Sequence, residues 1–401
     1  MASLNLLFVH EVSYEKKPIF EMHEFPEHLA ARGHNITFLQ FDEGFKFWRE
    51  KRQPVERTIA GRVLPNTKIK LVTPHQFGIP GLDRLYATLS VWPELERLLK
   101  TEKFDAIVLY AVPTYGHQVI QLAKKYGVPV VFRALDVSHL IRKSFLSPLI
   151  KSAEKYVYQH ADLLSANNPA MADYCSELGM RSRGTGVNLP PLDISHFAKA
   201  IPDAQLQKAL GIEPTDSVIT YLGTFFHFSG LDTVIREFAI EATRRPNAKL
   251  LLIGGGEQDK ALRDLVRELK VDKSVIFTGF IPYAKLSGYL GLTTVAINPM
   301  IPGKVSHTAF PHKVIQYMAS GLPVVTSKLD GLYKTFGDSS GLTWSVGTEG
   351  LIGKALALAE DAANRAENAK LQLQTVTAKF GIESSVAAFE ALLFSVSRRK
   401  Q

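Results

Sequence analysis

The chain of 401 residues is too long for a single hydrophobic core and is predicted to form two domains. Hydrophobic residues make up 46% of it and charged residues 21%, as in globular proteins, and no apolar run approaches the roughly 18 residues of a membrane-spanning helix. The formal net charge of +8 favours anionic partners, and the one cysteine excludes an internal disulfide framework and fits a reducing compartment.

The N-terminal region predicts a strand, a polar loop, a helix and a second strand. Residues 4–9 are explained better by a first buried strand than by a signal peptide, because no basic segment precedes them. No glycine fingerprint follows this strand, so a dinucleotide-binding site is unsupported. Open α/β sheets bind ligands at the carboxyl ends of their strands, and the loop at that place offers His10, Glu11, Lys16 and Lys17.

Residues 45–92, here called the basic-aromatic patch, combine basic and aromatic side chains. Eight lysine or arginine residues outnumber two glutamates between residues 46 and 70, and aromatic residues flank them on both sides. This composition suits a contact with anionic lipid headgroups. The alternative, in which the aromatic residues are core and the charges are merely solvated, is slightly favoured by the segment alone. No helix-turn-helix, zinc or RNP-like motif accompanies the charge, so nucleic acid is not a predicted partner.

Strands and helices alternate from residue 106 to residue 166, which predicts a parallel sheet covered on both faces. The strand that begins at residue 128 is followed by Arg133, Asp136 and His139. A carboxylate just beyond a parallel strand lies at the ligand-binding edge, where Asp136 could take a proton from a hydroxyl as a general base. The alternative, nearly as well supported by this segment, is that Asp136 caps the following helix.

The glycines and prolines of residues 184–191 predict a connector, and a polar segment at 198–216 leads into a second α/β unit whose first strand is residues 218–222. Thr224 and His227 follow this strand, and Gly254–Gly256 follow the next one. Three successive glycines allow the close approach of a ligand or of another backbone segment, and the sequence leaves both interpretations open.

Residues 306–331 carry the most specific local pattern. Pro311 suits the first turn of a helix, Gly321 ends that helix, and residues 322–326 form a short buried strand. His312 and Lys313 lie in the first turn, where free N–H groups and the helix dipole favour an anion, so we predict a diphosphate site here. A solvated lysine on an ordinary amphipathic helix is the alternative. Polar residues of anion-binding type in the preceding loop weaken it, namely Lys304, Ser306, His307 and Thr308.

The order of these motifs resembles that of the GT-B glycosyltransferases, particularly the family-4-like enzymes. The motifs are a Gly-Val-Asn connector, a Gly-Thr loop before a helix, IGGG, TGFIP and PHKVIQYMASGLPVV. The resemblance implies an α/β fold of two doubly wound, Rossmann-like domains that face each other across a cleft. It implies that residues 1–195, with a returning C-terminal helix at 380–401, bind the acceptor, and that residues 196–379 bind a nucleotide-sugar.

Three features of the family-4-like enzymes are absent. The two glutamates eight positions apart are replaced by Thr308 and Gln316, and the arginine and lysine after the first strand of the second domain are replaced by Thr224 and Ser229. The glycine pair of the first N-terminal loop is replaced by residues near the Lys16–Lys17 pair.

Shorter motifs are similar to the membrane-associated β-glucuronosyltransferases of xanthan-type polysaccharide assembly. They are Lys313 with Gln316, the Arg133–Asp136 segment, and the loop that begins at His10. This similarity implies that Lys313 and Gln316 contact the diphosphate of UDP and that Asp136 is the base of an inverting transfer. The donor site would also include His312, Thr224, His227, Phe280, Ile281 and Thr308, and the acceptor site His10, Glu11, Lys16, Lys17, Arg133 and His139.

We therefore expect a metal-independent glycosyltransferase without a cofactor, cytoplasmic and peripherally bound to the inner face of the cell membrane through the basic-aromatic patch. It would move a sugar, with glucuronic acid as the candidate, from a UDP-sugar to a lipid-linked or other glycan acceptor. If Asp136 is a helix cap or a sugar ligand, retention of configuration becomes the better prediction. Two alternatives of other classes are a GT-B-fold sugar-nucleotide epimerase, which would need no acceptor, and a non-catalytic nucleotide-sugar binding protein.

Overall fold

The computed structural model describes residues 3–17, 19–42, 51–52, 54–77, 83–110, 112–141, 146–179, 184–198 and 202–397. The chain divides into two compact units. Unit 1 comprises Met1–Pro191 and Glu383–Gln401, and unit 2 comprises Leu192–Ile382. None of the helices within the described ranges combines the length and the apolar character needed to cross a membrane.

Unit 1 is built around a sheet whose strands come mostly from a regular strand-helix alternation. Its strands are β1 (Asn5–Val9), β2 (Asn35–Leu39), β3 (Lys51–Arg52), β4 (Val55–Ala60), β5 (Lys68–Thr73), β6 (Gln76–Phe77), β7 (Ala106–Leu109), β8 (Val130–Ala134), β9 (Leu163–Ala166) and β10 (Thr185–Val187). Its helices are α1 (Glu21–Ala31), α2 (Asp83–Thr101), α3 (Gly116–Tyr126), α4 (Ser138–Ile141), α5 (Ser147–His160) and α6 (Pro169–Glu177).

Unit 2 repeats this architecture around a second sheet. Its helices are α7 (Ile194–Phe197), α8 (Ala204–Ala209), α9 (Leu231–Ala242), α10 (Asp259–Glu268), α11 (Leu286–Leu290), α12 (Lys304–Thr308), α13 (His312–Ala319), α14 (Asp330–Phe336), α15 (Leu351–Glu360) and α16 (Ala362–Phe380), and α17 (Ile382–Ser397) returns to unit 1. Its strands are β11 (Ser217–Leu222), β12 (Ala248–Ile253), β13 (Val275–Gly279), β14 (Val295–Asn298), β15 (Val324–Ser327) and β16 (Thr343–Ser345).

The strand order confirms the predicted α/β class. The first sheet runs β10-β9-β8-β7-β1-β2-β5-β4, and the second runs β13-β12-β11-β14-β15-β16. Within these two sheets all neighbouring strands pair in parallel except β4 and β5, which form an antiparallel edge. The short strands β3 and β6 pair antiparallel with each other in a separate two-stranded sheet. Helices cover both faces of a parallel sheet, so its inner strands are apolar along their length, as the fully buried β7 and β8 show. The carboxyl ends of all parallel strands in one sheet therefore lie along one edge.

A buried ion pair fixes this edge in unit 1. Arg133, at the end of β8, is 1% exposed and contacts Glu21 in the first turn of α1 through two hydrogen bonds, of 2.7 and 2.8 Å. The same guanidinium donates to the Ser165 hydroxyl and to the carbonyl of Asn188, in the predicted connector. The ring of Phe389 on α17 lies 5.9 Å from it. One side chain thus joins the sheet, the first helix, the connector and the C-terminal helix.

The C-terminal helix is held against unit 1 by further charged contacts. Glu390 on α17 pairs with Arg32 at 2.8 Å and with His34 at 2.7 Å, and Glu383 pairs with Arg32 at 2.6 Å. Desolvation acts to raise the pKa of Glu390, but the hydrogen bonds from His34 and Arg32 outweigh it and leave that pKa below its ordinary value. The docking of α17 is therefore strongest above the ordinary glutamate pKa, and it weakens as the pH falls and Glu390 takes up a proton.

Replacing Glu21 by glutamine should destabilise unit 1 strongly. A neutral amide leaves the buried Arg133 charge without its counter-ion, which costs about 3–5 kcal/mol in the free energy of unfolding. Urea denaturation followed by circular dichroism measures the loss. The matched control is Glu383→Gln, because the Glu383 side chain is 91% exposed and such surface pairs contribute little. Equal denaturation midpoints for the two variants would contradict the role given to the Arg133–Glu21 pair.

Candidate functional site

Helix α13 forms as the sequence predicts. It begins directly after Pro311 and buries Val314 and Ile315 in its first two turns. Gly321 has a left-handed φ of +68° and donates its N–H to the carbonyl of Met318, so it ends the helix as a glycine can without strain. The buried strand that follows is β15. The first turn of α13 is consequently fixed at the carboxyl edge of the second sheet.

Lys313, in that first turn, is a half-buried cation held beside the end of β11. Its ammonium lies 3.9 Å from the centroid of the Tyr221 ring, a cation–π contact. A Cβ atom added to Gly223 would lie 3.0 Å from the Lys313 Nζ, so the backbone after β11 passes directly alongside. Desolvation lowers the pKa of Lys313 to about 7. No carboxylate among the described residues pairs with it, and the ammonium therefore remains able to attract an anion.

The three glycines after β12 serve the close approach of two backbone segments. A Cβ atom at Gly254, which has φ +133°, would lie 2.0 Å from the carbonyl oxygen of Gly223, and one at Gly256 would lie 2.9 Å from the Phe225 nitrogen. The Phe225 N–H donates to the carbonyl of Gly255 at 2.9 Å. Of the two interpretations that the sequence left open, the structure therefore supports the approach of another backbone segment.

The same glycines bring several predicted donor-site residues together. Thr224 adjoins Gly256, and the Phe280 ring lies against Gly255, where an added Cβ atom would be 3.2 Å from the Phe280 Cε2. Phe280 is 71% exposed and Ile281 is half-buried. Lys313, Thr224 and Phe280 are thus connected through the Gly223 loop. They border one short stretch of the carboxyl edge of unit 2.

The remaining predicted donor residues have contacts that limit their charge or position. The exposed His227 contacts Glu257 at 3.1 Å through its Nδ1 atom and also donates its backbone N–H to that carboxylate, so it is not an uncompensated cation. The Thr308 hydroxyl donates to the Val305 carbonyl. Gln316 and His312 are both half-buried, with Gln316 one turn beyond Lys313.

Asp136 lies at the carboxyl edge of unit 1, two residues beyond the end of β8. In the first turn of α4 the backbone N–H of His139 donates to the Glu154 carboxylate at 3.3 Å, so a residue other than Asp136 satisfies this N–H and the helix-cap alternative is disfavoured. Asp136 is exposed by surface area, but the surrounding protein still removes part of its hydration. This desolvation and, after it, the negative charge of Glu21 raise the pKa of the Asp136 carboxyl to about 6.

Three of the predicted acceptor residues have structural partners. Arg133 is buried and uses its guanidinium donors within the protein, which places it in the core instead of at a surface site. Glu11 accepts the backbone N–H groups of Thr114 and Tyr115 at the start of α3, and desolvation by burial raises its pKa. His139 contacts the fully buried Glu154 at 2.5 Å.

The other predicted acceptor residues lie in or near the loop between β1 and α1. The His10 ring stacks on Tyr110 at 5.1 Å, and burial lowers its pKa to about 3, so it is neutral at ordinary pH. Lys16 pairs with Asp42 at 2.5 Å. The carbonyl of Lys17 accepts a hydrogen bond from Arg62 at 2.6 Å. The His10 ring and the Lys16 side chain have their contacts just beyond the ends of β7 and β2, at the carboxyl edge.

Sequence reasoning missed two residues that shape the donor region. Tyr221 is the last inward-facing residue of a predicted strand. Its contact with Lys313 joins two residues that are 92 positions apart in the chain, so it exists only after folding. Glu257 directly follows the three glycines, and that position was the available signal for it. Within the described ranges, no group of three or more histidine, cysteine, aspartate or glutamate side chains is placed to hold a metal ion.

Gly254→Ala should destabilise unit 2 because the new methyl group would meet the Gly223 carbonyl at a backbone angle that alanine rarely adopts. We expect a loss of at least about 2 kcal/mol in the free energy of unfolding, measured by urea denaturation. Gly288→Ala in α11 is the matched control, since a Cβ atom there would meet no atom within 4 Å. If Gly254→Ala were as stable as this control, the close approach of the two loops would be wrong.

Family models and solved structures agree with this architecture. Residues 203–371 match the model of glycosyl transferases group 1, and residues 22–187 match that of the glycosyl transferase 4-like domain. The N-acetyl-alpha-D-glucosaminyl L-malate synthase of Bacillus anthracis is 21% identical over 94% of this chain and 93% of its own length.

Two solved structures show the same fold. Sucrose-phosphate synthase from Thermosynechococcus elongatus superposes with a TM-score of 0.76 at 18% identity, over 98% of this chain and 99% of that one. Anabaena HepE in complex with UDP-glucose superposes with a TM-score of 0.74 at 16% identity, over 98% of this chain and 100% of that one. The chain therefore belongs to the GT-B glycosyltransferases of the family-4-like type, as its two α/β units show together with the two family models that between them match most of its length.

Proposed function

We propose that the chain transfers a sugar from a UDP-sugar to a hydroxyl group of a glycan acceptor, with Lys313 at the diphosphate and Asp136 as the general base of an inverting reaction. The observation that carries this proposal is the half-buried Lys313 in the first turn of α13, which no described carboxylate neutralises. The UDP-glucose complex of the structurally similar HepE supports UDP as the nucleotide.

The donor end of the proposal follows from charge development. As the glycosidic bond breaks, negative charge builds on the departing UDP, and a cation at a helix N-terminus stabilises that charge. Gln316, one turn further on, would bind the diphosphate with Lys313. The exposed Phe280 ring beside Gly255 offers an apolar surface for the base of the nucleotide. The protein would thereby supply the stabilisation that other glycosyltransferases take from a metal ion.

The transferred sugar is proposed only as a hexose. The prediction of glucuronic acid depends on a basic group formed by Lys304, His307 and His312, and His307 lies 3.3 Å from the carboxylate of Asp330. That carboxylate offsets part of the positive charge that an acidic sugar would need. UDP-glucose and UDP-glucuronic acid are therefore the first two donors to compare.

Lys313→Ala should weaken UDP binding by about 10- to 100-fold, the loss expected for a charge-assisted hydrogen bond. The matched control is Lys328→Ala, because Lys328 also lies over a tyrosine ring, Tyr333, at 3.7 Å but is exposed. Isothermal titration with UDP measures both.

Because the free Lys313 is charged below a pKa of about 7, UDP affinity should fall as the pH rises from 6 to 9. Lys313→Arg, which keeps its charge, should remove that dependence, and unchanged affinity in Lys313→Ala would contradict the proposed diphosphate site.

Asp136→Asn should reduce transfer by about 10²- to 10⁴-fold while leaving UDP affinity intact, since an amide cannot accept the acceptor's proton. In the wild type, kcat/KM should rise as the pH increases through about 6, because only the ionised Asp136 is a base. Parallel assays contain either EDTA or added magnesium, and activity that appears only with the metal would contradict the predicted metal independence.

The product anomer, determined by proton NMR, decides the stereochemistry of the same reaction. Inversion is expected, and retained configuration would remove the role given to Asp136. Conversion of UDP-sugar without an acceptor would favour an epimerase. UDP binding with no turnover in either the wild type or Asp136→Asn would favour a non-catalytic binding protein.

A lipid-linked acceptor at a membrane surface also belongs to this proposal. Part of the basic-aromatic patch lies outside the described residues, including positions 43–50 and 78–82. In the described part, Arg57 pairs with Glu15, Lys70 pairs with Glu56 and Glu102, and Trp92 packs against the core. These residues fit the alternative of solvated charges and core aromatics. Support for membrane contact comes instead from exposed leucines.

Exposed leucines lie at the N-terminal ends of two helices of unit 1, at the same edge as Asp136. Leu85 and Leu89 on α2 are 63% and 70% exposed, and Leu149 on α5 is 67% exposed. Lys151 and Lys155, also exposed on α5, add positive charge beside the second group. Leucines next to lysines on exposed helix ends suit the interface of an anionic bilayer.

The double variant Leu89→Asp/Leu149→Asp should lose association with anionic lipid vesicles in a flotation assay at low salt, where the wild type should float. Carboxylates at these positions would be repelled by the headgroups and could not enter the apolar region. Ile240→Asp in unit 2, at a position 63% exposed, is the matched control and should float like the wild type. A wild type that does not associate at low or physiological salt would remove the membrane part of the proposal.

A further inference from the structure

A polar cavity opens in unit 1, at the carboxyl ends of β2 and β5. Its volume is about 370 Å³, within the range of small-molecule sites. None of the residues that line it belongs to the proposed donor site or to the proposed base. They are Glu15, Lys16, Gln40, Asp42, Val55, Arg57 and Thr73.

The floor of the cavity consists of buried hydrogen-bonding groups. Gln40, Asp42 and Thr73 are 3%, 6% and 6% exposed. The Gln40 amide accepts the backbone N–H of Tyr14 at 2.7 Å and donates to the Thr73 hydroxyl at 2.9 Å. In that bond the Thr73 oxygen is the acceptor, so its own O–H is not used there and can donate to a ligand. An amide, a hydroxyl and a carboxylate in one small floor suit a ligand that carries several hydroxyl groups.

The charges of the cavity are balanced, in contrast to those around Lys313. Lys16 pairs with Asp42 at 2.5 Å, and Arg57 pairs with Glu15. Two cations and two carboxylates leave no surplus charge in the lining. A phosphate would have to break these pairs to be bound well, whereas an uncharged polyhydroxyl ligand can accept from the cations and donate to the carboxylates while the pairs stay intact.

The loop that supplies Glu15 and Lys16 is fixed by contacts behind it. Arg62 donates to the carbonyls of Tyr14 and Lys17 at 2.7 and 2.6 Å. The buried Glu27 in turn accepts the Tyr14 hydroxyl at 2.6 Å and the backbone N–H of Arg62 at 2.8 Å. The wall of the cavity is therefore held in place by the protein itself, which lowers the entropy that a ligand must lose on binding.

The position of the cavity relative to Asp136 follows from the strand order. Asp136 follows β8, and the cavity begins at the end of β2, three strands away in the order β8-β7-β1-β2. At roughly 4.8 Å between strands, this is a separation of about 14 Å along the edge. The stacked rings of His10 and Tyr110, which follow β1 and β7, lie between the two places. A ligand that reaches both must be longer than one sugar ring.

We propose that this cavity binds an uncharged sugar residue of the acceptor, distal to the reacting hydroxyl, so that the acceptor is an oligosaccharide. The sugar specificity of the cavity stands on its own contacts, whereas the required length of the acceptor rests on the proposed role of Asp136.

Val55→Trp tests the proposal by filling the cavity from its exposed rim, where the fold should tolerate a larger side chain. Thr73→Val is the second variant, because it removes the floor hydroxyl at nearly constant volume. Val346→Trp, at a position 91% exposed in unit 2, is the control for adding a surface tryptophan. A thermal shift with UDP should be the same for all four proteins, which shows that each is folded.

Transfer is measured with p-nitrophenyl mono-, di- and trisaccharides of glucose, galactose and mannose as acceptors, with UDP-glucose and UDP-glucuronic acid compared as donors. Binding is measured by saturation-transfer NMR with the same neutral glycans and with inorganic pyrophosphate. The wild type should use a di- or trisaccharide at least about tenfold better than the monosaccharide, and both cavity variants should lose that preference, as expected for lost hydrogen bonds. NMR signals from the glycan should weaken in parallel in these variants and persist in Val346→Trp.

The outcomes separate this inference from the proposed function. Transfer with an undiminished length preference in Val55→Trp and Thr73→Val would overturn the cavity site and leave the transferase intact. Glycan binding that is lost in the cavity variants, without transfer by the wild type from either UDP-glucose or UDP-glucuronic acid, would support the cavity and contradict the proposed function. Binding of none of the neutral glycans, or binding of pyrophosphate that Val55→Trp abolishes, would overturn the cavity's assignment to an uncharged sugar.

Discussion

The buried ion pair between Arg133 and Glu21 is the constraint on which the geometry of unit 1 depends. A guanidinium removed from water must be fully hydrogen-bonded, and its partners here come from the first helix, a neighbouring strand and the connector. Because these segments must converge on one side chain, the end of β8 has a single arrangement. Asp136 follows three residues later, so the proposed base inherits its position from a pair that does not itself face solvent.

Desolvation shifts the pKa of the proposed base in unit 1 and of the proposed diphosphate-binding lysine in unit 2, in opposite directions. It raises the pKa of the Asp136 carboxyl and lowers the pKa of the Lys313 ammonium, because burial always disfavours the charged form. Both shifts would assist glycosyl transfer, one at the acceptor hydroxyl and the other at the diphosphate of the donor. A carboxylate with a raised pKa is a stronger base toward a hydroxyl, and a lysine without a carboxylate partner gains its full attraction when a diphosphate arrives.

Pairing of charges distinguishes the proposed donor and acceptor regions. Among the described residues, Lys313 contacts the Tyr221 ring and pairs with no carboxylate, whereas Lys16 and Arg57 in the cavity each have a carboxylate. An isolated cation selects for anions, and balanced pairs select for neutral polar groups. The abundance of basic residues in the N-terminal half therefore says little about its ligand until their partners are known.

The sequence by itself determined the α/β class, the two units and the helix at 312–319, because hydrophobic periodicity and terminating glycines act between residues close in the chain. It did not distinguish Arg133 from Lys313, since each is a basic residue at the edge of a parallel sheet. Only the tertiary structure decided that one is a core residue and the other is not, because the partner of Arg133 lies 112 positions away. The antiparallel β4–β5 edge and the cavity beside it were likewise hidden, since their ion pairs join residues that are distant in sequence and adjacent only after folding.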